Sequence, residues 1–155
     1  MNNDNYHLVL FELANEIYGI DISKVYEIIE MQSITIVPRV QSFVCGVINL
    51  RGKVIPVFDI REKLNLHCKN ISEDTKIIII EIAQNIAGII ADKVFEIVIV
   101  SKQIIDSPSS LILNSINSEY LEGVISLEEK LIILLNIENI LQGDIKLNKN
   151  PVVLN

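Results

Sequence analysis

The stretch Asn49-Leu50-Arg51-Gly52 sets an arginine and a glycine between two aliphatic runs. Glycine adopts positive φ without steric cost, so Arg51-Gly52 reads as a hairpin tip. A guanidinium on a rigid tip can make forked hydrogen bonds to a carboxylate or to carbonyls of a partner helix. The plainer reading is a turn arginine in water. Glu27 also has two readings, a partner contact or a charge that guards a strand edge against unwanted pairing. Asp59 is best read as a helix cap, with Glu62 at capping-box spacing and Asn136 as a second cap later in the chain. Val25 and Val94 fit a core or seam, although a partly exposed valine at position 25 could meet a partner helix.

Nothing else in the chain has the spacing of a reaction centre. No G-x-S-x-G, Walker-type loop or metal-protease helix occurs. His7 and His67 lack neighbouring ligands, and Glu128-Glu129 reads as a solvated turn. The expectation is a protein without catalysis, metal or cofactor. Cys45 and Cys68 have no C-x-x-C spacing and make no secreted disulfide framework, which favours a reduced, cytosolic chain.

The composition narrows the partners. The net charge is -7, and no Lys/Arg cluster offers a surface for nucleic acid or anionic lipid. The N-terminus lacks the order of a signal peptide, and the apolar region 77–100 is too interrupted by polar residues to span a membrane. Half the residues are hydrophobic while aromatics reach only 5%, so Ile, Val and Leu must build the core, which favours strands.

Strands are expected at Leu8–Leu13, Val54–Phe58, Lys76–Ile82, Ile86–Ala91 and Leu131–Leu135. Ala14-Asn15-Glu16 and Ala83-Gln84-Asn85 look like hairpin connections, and short helical turns are expected after Asp59 and Asn136. The unbroken run Ile77 to Ile80 points to a strand covered on both faces. These elements also repeat. Residues 10–29 align without gaps on 79–98, matching Glu12 with Glu81, Gly19 with Gly88, Lys24 with Lys93 and Glu27 with Glu96. Residues 46–64 align on 123–141, matching Gly46 with Gly123, Lys53 with Lys130 and Leu64 with Leu141. Shared Gly, Lys and Glu are not core filler, so the match speaks for duplication. The expected architecture is one domain over residues 1–155, with pseudo-repeats at 8–64 and 77–141. Each repeat is read as one small five-stranded β-barrel, and exchange of strands between them stays open. The second copy is longer between residues 98 and 123, with Ser107-Pro108-Ser109-Ser110 as the expected loop over one barrel.

The run Gly46 to Arg61, with its G-x-x-N-L-R-G core followed by V-I-P-V-x-D-I-R, resembles the signature of the CheW-like domain family. Tyr18-Gly19-Ile20-Asp21-Ile22, Val25-Tyr26-Glu27-Ile28 and Tyr120-Leu121-Glu122-Gly123-Val124 extend the likeness over residues 6–143. The resemblance implies a mainly β fold of two packed SH3-like five-stranded barrels with a few short helices. No length remains for a kinase or receiver domain, so it points to the stand-alone coupling protein of that family. Such a protein bridges the cytoplasmic tip of chemoreceptors and the regulatory domain of the histidine kinase CheA. It also takes part in rings with other CheW-like domains. It would be cytoplasmic and recruited to membrane-bound receptor arrays. By the same resemblance, Val25, Glu27, Gly46, Asn49, Arg51 and Gly52 occupy receptor-coupling positions, and no kinase-contact residue carries over. Two alternatives are a coupling protein of another chemosensory pathway, such as pilus-based motility, and a small-ligand-binding β-barrel sensor. The sensor would need a deep apolar pocket.

Overall fold

The structure is a computed structural model that describes residues 4–38, 43–107 and 118–142. It is mainly β. The strands are β1 (Asn5–Leu13), β2 (Glu16–Asp21), β3 (Val25–Glu30), β4 (Val44–Leu50), β5 (Lys53–Phe58), β6 (Lys76–Ile82), β7 (Asn85–Ala91), β8 (Lys93–Ser101), β9 (Ile105–Asp106), β10 (Leu121–Leu127) and β11 (Lys130–Leu135). Helix α1 spans Ile60–Lys63, and α2 covers residues 137–142 after Asn136. The expected loop over one barrel, from Pro108 onward, lies outside the described residues.

Four hairpins turn on two residues each: Ala14-Asn15, Arg51-Gly52, Ala83-Gln84 and Glu128-Glu129. All eight have positive φ, the conformation that matches the twist of paired strands. Seven of the eight are not glycine and sit in a region that costs them energy, so the flanking ladders must hold them there.

One sheet has the order β3-β6-β7-β5-β4, and the other β8-β1-β2-β11-β10-β9. The repeat is visible in the register. Leu8 pairs with Asp21 in β1–β2, and its twin Ile77 pairs with Ile90 in β6–β7. A bulge beside Gly46 recurs beside Gly123. Neither copy builds a sheet alone. The β1–β2 hairpin of the first copy lies in the sheet of β10 and β11, through parallel pairing of Gly19 with Leu134. The β6–β7 hairpin of the second copy joins β4 and β5 through Gly88 and Val57. The two copies thus trade their leading hairpins.

Three apolar clusters follow from this plan. One, with Ile48, Ile55, Val57, Ile77, Ile79 and Ile90, draws on β4, β5, β6 and β7, with Ile29 of β3 packed against it. A second, with Leu8, Leu10, Val100, Ile125, Ile132 and Leu134, does the same in the other sheet. A sheet whose end strands share one interior cluster is rolled around it, and we call the β3–β4 sheet the first barrel and the β8–β9 sheet the second. The third and largest cluster fills the seam with Phe11, Tyr18, Phe58, Ile78, Ile80, Ile89, Leu135 and Ile140 among others. Ile77 to Ile80 explain their lack of alternation here: Ile77 and Ile79 face a barrel interior, Ile78 and Ile80 the seam, and all four are fully buried. Among the described residues the seam is packed with side chains, which counts against the ligand-sensor alternative.

Candidate functional site

In the first barrel, β3 and β4 stand at opposite ends of the strand order, yet their side chains meet. Arg51 on the β4–β5 tip donates from Nη2 to Glu27 Oε1 on β3, and from Nη1 to Oε2 at 3.3 Å. The forked pair links β3 to the β4–β5 tip. Asn49 fixes the tip from within, its Oδ1 accepting from Gly52 N at 2.9 Å. Gly52 has φ +88, and a Cβ there would meet nothing within 4 Å, so backbone conformation alone calls for glycine. The Arg51 side chain remains 64% exposed. Its hydrogen bond holds the Glu27 carboxyl below the usual carboxylate range, and Glu27 in turn raises Arg51. The result is a paired cation presented to solvent.

Glu27, Asn49, Arg51 and Gly52 therefore form one cluster, while Val25 and Gly46 lie elsewhere. Val25 precedes a bulge in β3 and packs against the seam cluster. Gly46 is buried within β4 at φ +146, where a Cβ would stand 2.1 Å from the Thr35 carbonyl oxygen. Thr35 and Val47 exchange backbone hydrogen bonds of 2.8 and 2.9 Å at that crossing. Gly123 repeats the arrangement beneath Ile105, its added Cβ 2.4 Å from Ile105 Cγ2. Gly46 is thus packed directly beneath the Thr35 backbone.

Sequence reasoning gave no role to Tyr26, Ile28 and Val54, which are exposed apolar side chains on β3 and β5. Strand alternation marks two faces but does not say which one is wet, so their exposure had no signal in the sequence.

The end of the signature is structural. Asp59 caps α1 by accepting from Arg61 N at 3.1 Å, one position before the Glu62 amide that a capping box would use. The same carboxylate accepts Arg61 Nε and Nη2, both at 2.8 Å. Arg61 Nη1 reaches Asp92 Oδ1 at 2.6 Å, and Asp92 Oδ2 accepts from Ala14 N at 2.7 Å. Arg61 is 5% exposed. Asp59 above all keeps it charged, and the cluster ties α1 of the first barrel to the β1–β2 turn of the second. Burial pushes the Cys45 thiol up to about 12 and also raises Cys68. Neither supplies a thiolate nucleophile near neutrality. Both histidines are exposed.

The family model described as the CheW-like domain matches residues 7–144. The chain belongs to the CheW-like domain family. It is 34% identical over 137 residues to the chemotaxis protein CheW of Klebsiella aerogenes, covering 88% of this chain and 81% of that one. It is 29% identical over 144 residues to the chemotaxis protein CheW of Treponema pallidum, covering 90% and 84%. Among solved structures it resembles the scaffolding protein TtCheW of Thermoanaerobacter tengcongensis, with a TM-score of 0.81 and 34% identity over 90% of this chain and 89% of that one. As a CheW-like protein with this fold, it is a non-catalytic coupling and scaffolding component of chemotaxis. Among the described residues no helix is long and apolar enough to cross a membrane.

Proposed function

We propose that the Arg51 tip is the receptor-coupling surface of this CheW-like protein. Arg51, oriented by Glu27 and carried on a turn set by Asn49 and Gly52, receives the cytoplasmic tip of chemoreceptors. Val25 and Gly46 hold the strands that present it. The regulatory domain of CheA binds the same molecule elsewhere, and other CheW-like domains complete rings, which recruits a cytoplasmic adaptor to membrane-bound arrays. One observation carries this reading: a solvent-facing guanidinium paired to Glu27, with exposed apolar side chains at Tyr26 on the same strand as Glu27 and at Val54 on the same hairpin as Arg51. An adaptor that grips both partners passes on a receptor's conformational bias only if its contacts differ between signalling states.

The test is co-sedimentation of wild type and Arg51→Glu with receptor-tip fragments. Charge reversal at a desolvated contact costs ~2–5 kcal/mol, an affinity loss of roughly 30-fold or more. Unchanged receptor binding by Arg51→Glu would sink the assignment.

A further inference from the structure

Among the described strands the chain crosses between the barrels twice. Residues 22–24 lead from β2 to β3, and Asp92 alone leads from β7 to β8. The two crossings are held by different means. At the first, Lys24 pairs with Glu138 of α2 at the surface. At the second, the single hinge residue is buried, and both barrels hold it. Asp92 Oδ1 accepts from Arg61 Nη1 on α1 of the first barrel at 2.6 Å. Its Oδ2 accepts from Ala14 N at 2.7 Å, and its N–H donates to the Glu12 carbonyl oxygen at 2.9 Å, both in the second barrel.

Arg61 is the centre of this lock. Asp59 at the head of α1 takes its Nε and Nη2, and the Lys69 carbonyl oxygen takes Nη1 at 3.2 Å. Lys69 then reaches Glu12 Oε2 at 3.0 Å and Asn15 Oδ1 at 2.9 Å. The segment 65–75 between α1 and β6 is thereby fastened to the β1–β2 hairpin. Among the described residues no buried side-chain nitrogen or oxygen lacks a partner. A buried ion pair is a weak stabiliser, since desolvation offsets much of the Coulomb gain and apolar side chains of similar volume often serve as well. Forked, charge-assisted hydrogen bonds add direction, which apolar packing across the seam lacks.

We propose that Arg61 is a positioning residue, which locks the Asp92 hinge and holds the two barrels in one mutual orientation. The seam cluster keeps the barrels together, and the lock fixes their angle. The role in signalling, though not the lock, rests on the coupling reading above. A receptor bias taken up at the Arg51 tip passes to contacts made by the second barrel through that fixed angle. A loose hinge absorbs it within the adaptor. Binding to each partner then survives while the coupling between them is lost.

Two variants of the full chain test this. Arg61→Lys keeps the buried charge without the fork. Asp92→Asn keeps an oxygen for Ala14 N and removes the charge that faces Arg61. Backbone residual dipolar couplings read the mutual orientation without any partner. In wild type, couplings from both barrels should fit one alignment tensor. In the variants each barrel should still fit alone while the joint fit fails, and Lys24→Ala at the other crossing should keep it. Co-sedimentation of the variants with receptor-tip fragments, or with the CheA regulatory domain, should match wild type. Receptor control of CheA activity in reconstituted assemblies should fall ~5-fold or more.

A joint fit that survives in both variants overturns the lock. Failure of both to fold also overturns it, because the cluster would then be a stability element only. Equal loss of the joint fit in Lys24→Ala overturns the special place of Arg61. Lost orientation with receptor control intact overturns the positioning role. Wild type that binds no receptor fragment overturns the coupling reading and with it the role, while the dipolar couplings still decide the lock.

Discussion

Arg61 and Glu138 occupy the same position in the two repeats, one residue into each short helix, and they behave as opposites. Arg61 lies almost wholly inside, shared by Asp59 and Asp92. Glu138 meets Lys24 at the surface, with side chains 48% and 35% exposed. The hairpin tips contrast in the same way, with Arg51 paired to Glu27 in one barrel and Glu128 beside Glu96 in the other. The two repeats share a backbone plan and differ at these polar positions. One set forms a buried clamp and a tip paired to a carboxylate, and its twin forms an exposed ion pair and an acidic cleft. The lesson is that a repeat conserves what the fold requires and diverges where water or a partner is the neighbour.

The sharpest way to break this comparison is at the seam. Arg61→Ala leaves two carboxylates buried without their cation and should cost ~3–5 kcal/mol in urea unfolding, whereas Glu138→Ala should cost no more than ~1 kcal/mol. Equal effects would show that burial does not separate the twins. The glycines supply the next contrast. Gly46→Ala drives a Cβ into the Thr35 carbonyl and should lose ~1–3 kcal/mol, while Gly52→Ala meets no atom and should lose only about 1–2 kcal/mol from positive φ. The Gly46 variant should lose receptor binding only in proportion to its unfolded fraction.

A smaller effect distinguishes the tips. Glu27 titrates below the ordinary carboxylate value of 4.5 because Arg51 donates to it. The pair is therefore intact above that range and is lost as pH falls through the lowered value. Carboxyl NMR titration should find the Glu27 midpoint returning toward 4.5 in Arg51→Gln. Arg51→Gln should leave stability nearly unchanged, as expected for an exposed pair. A midpoint that stays put would mean the tip is not held by this pair.

Much of the fold was legible because strands write their rules locally. The β-branched runs, the two-residue turns, the Asp59 cap and the repeat all follow from neighbours in sequence. The unbroken isoleucines at 77–80 announced a strand buried on both faces, and the clusters on each side account for them. The site was legible in part. Asn49, Arg51 and Gly52 are adjacent, but that Glu27 lies opposite Arg51 depends on a barrel rolling until its end strands meet. Val25, two residues from Glu27, packs on the seam because a bulge separates them.

By itself, the sequence determined a duplicated chain of short strands, an acidic surface and a tip able to hold a carboxylate, because periodicity, turn chemistry and charge are properties of neighbouring residues. Only the tertiary structure decided that the copies trade hairpins, that Gly46 lies under the Thr35 bridge and that Arg61 is buried between two carboxylates. Those outcomes rest on pairing between distant segments. A hydrogen-bonded edge accepts a strand from either copy when both carry the same register, and packing across the whole seam selects which one it takes.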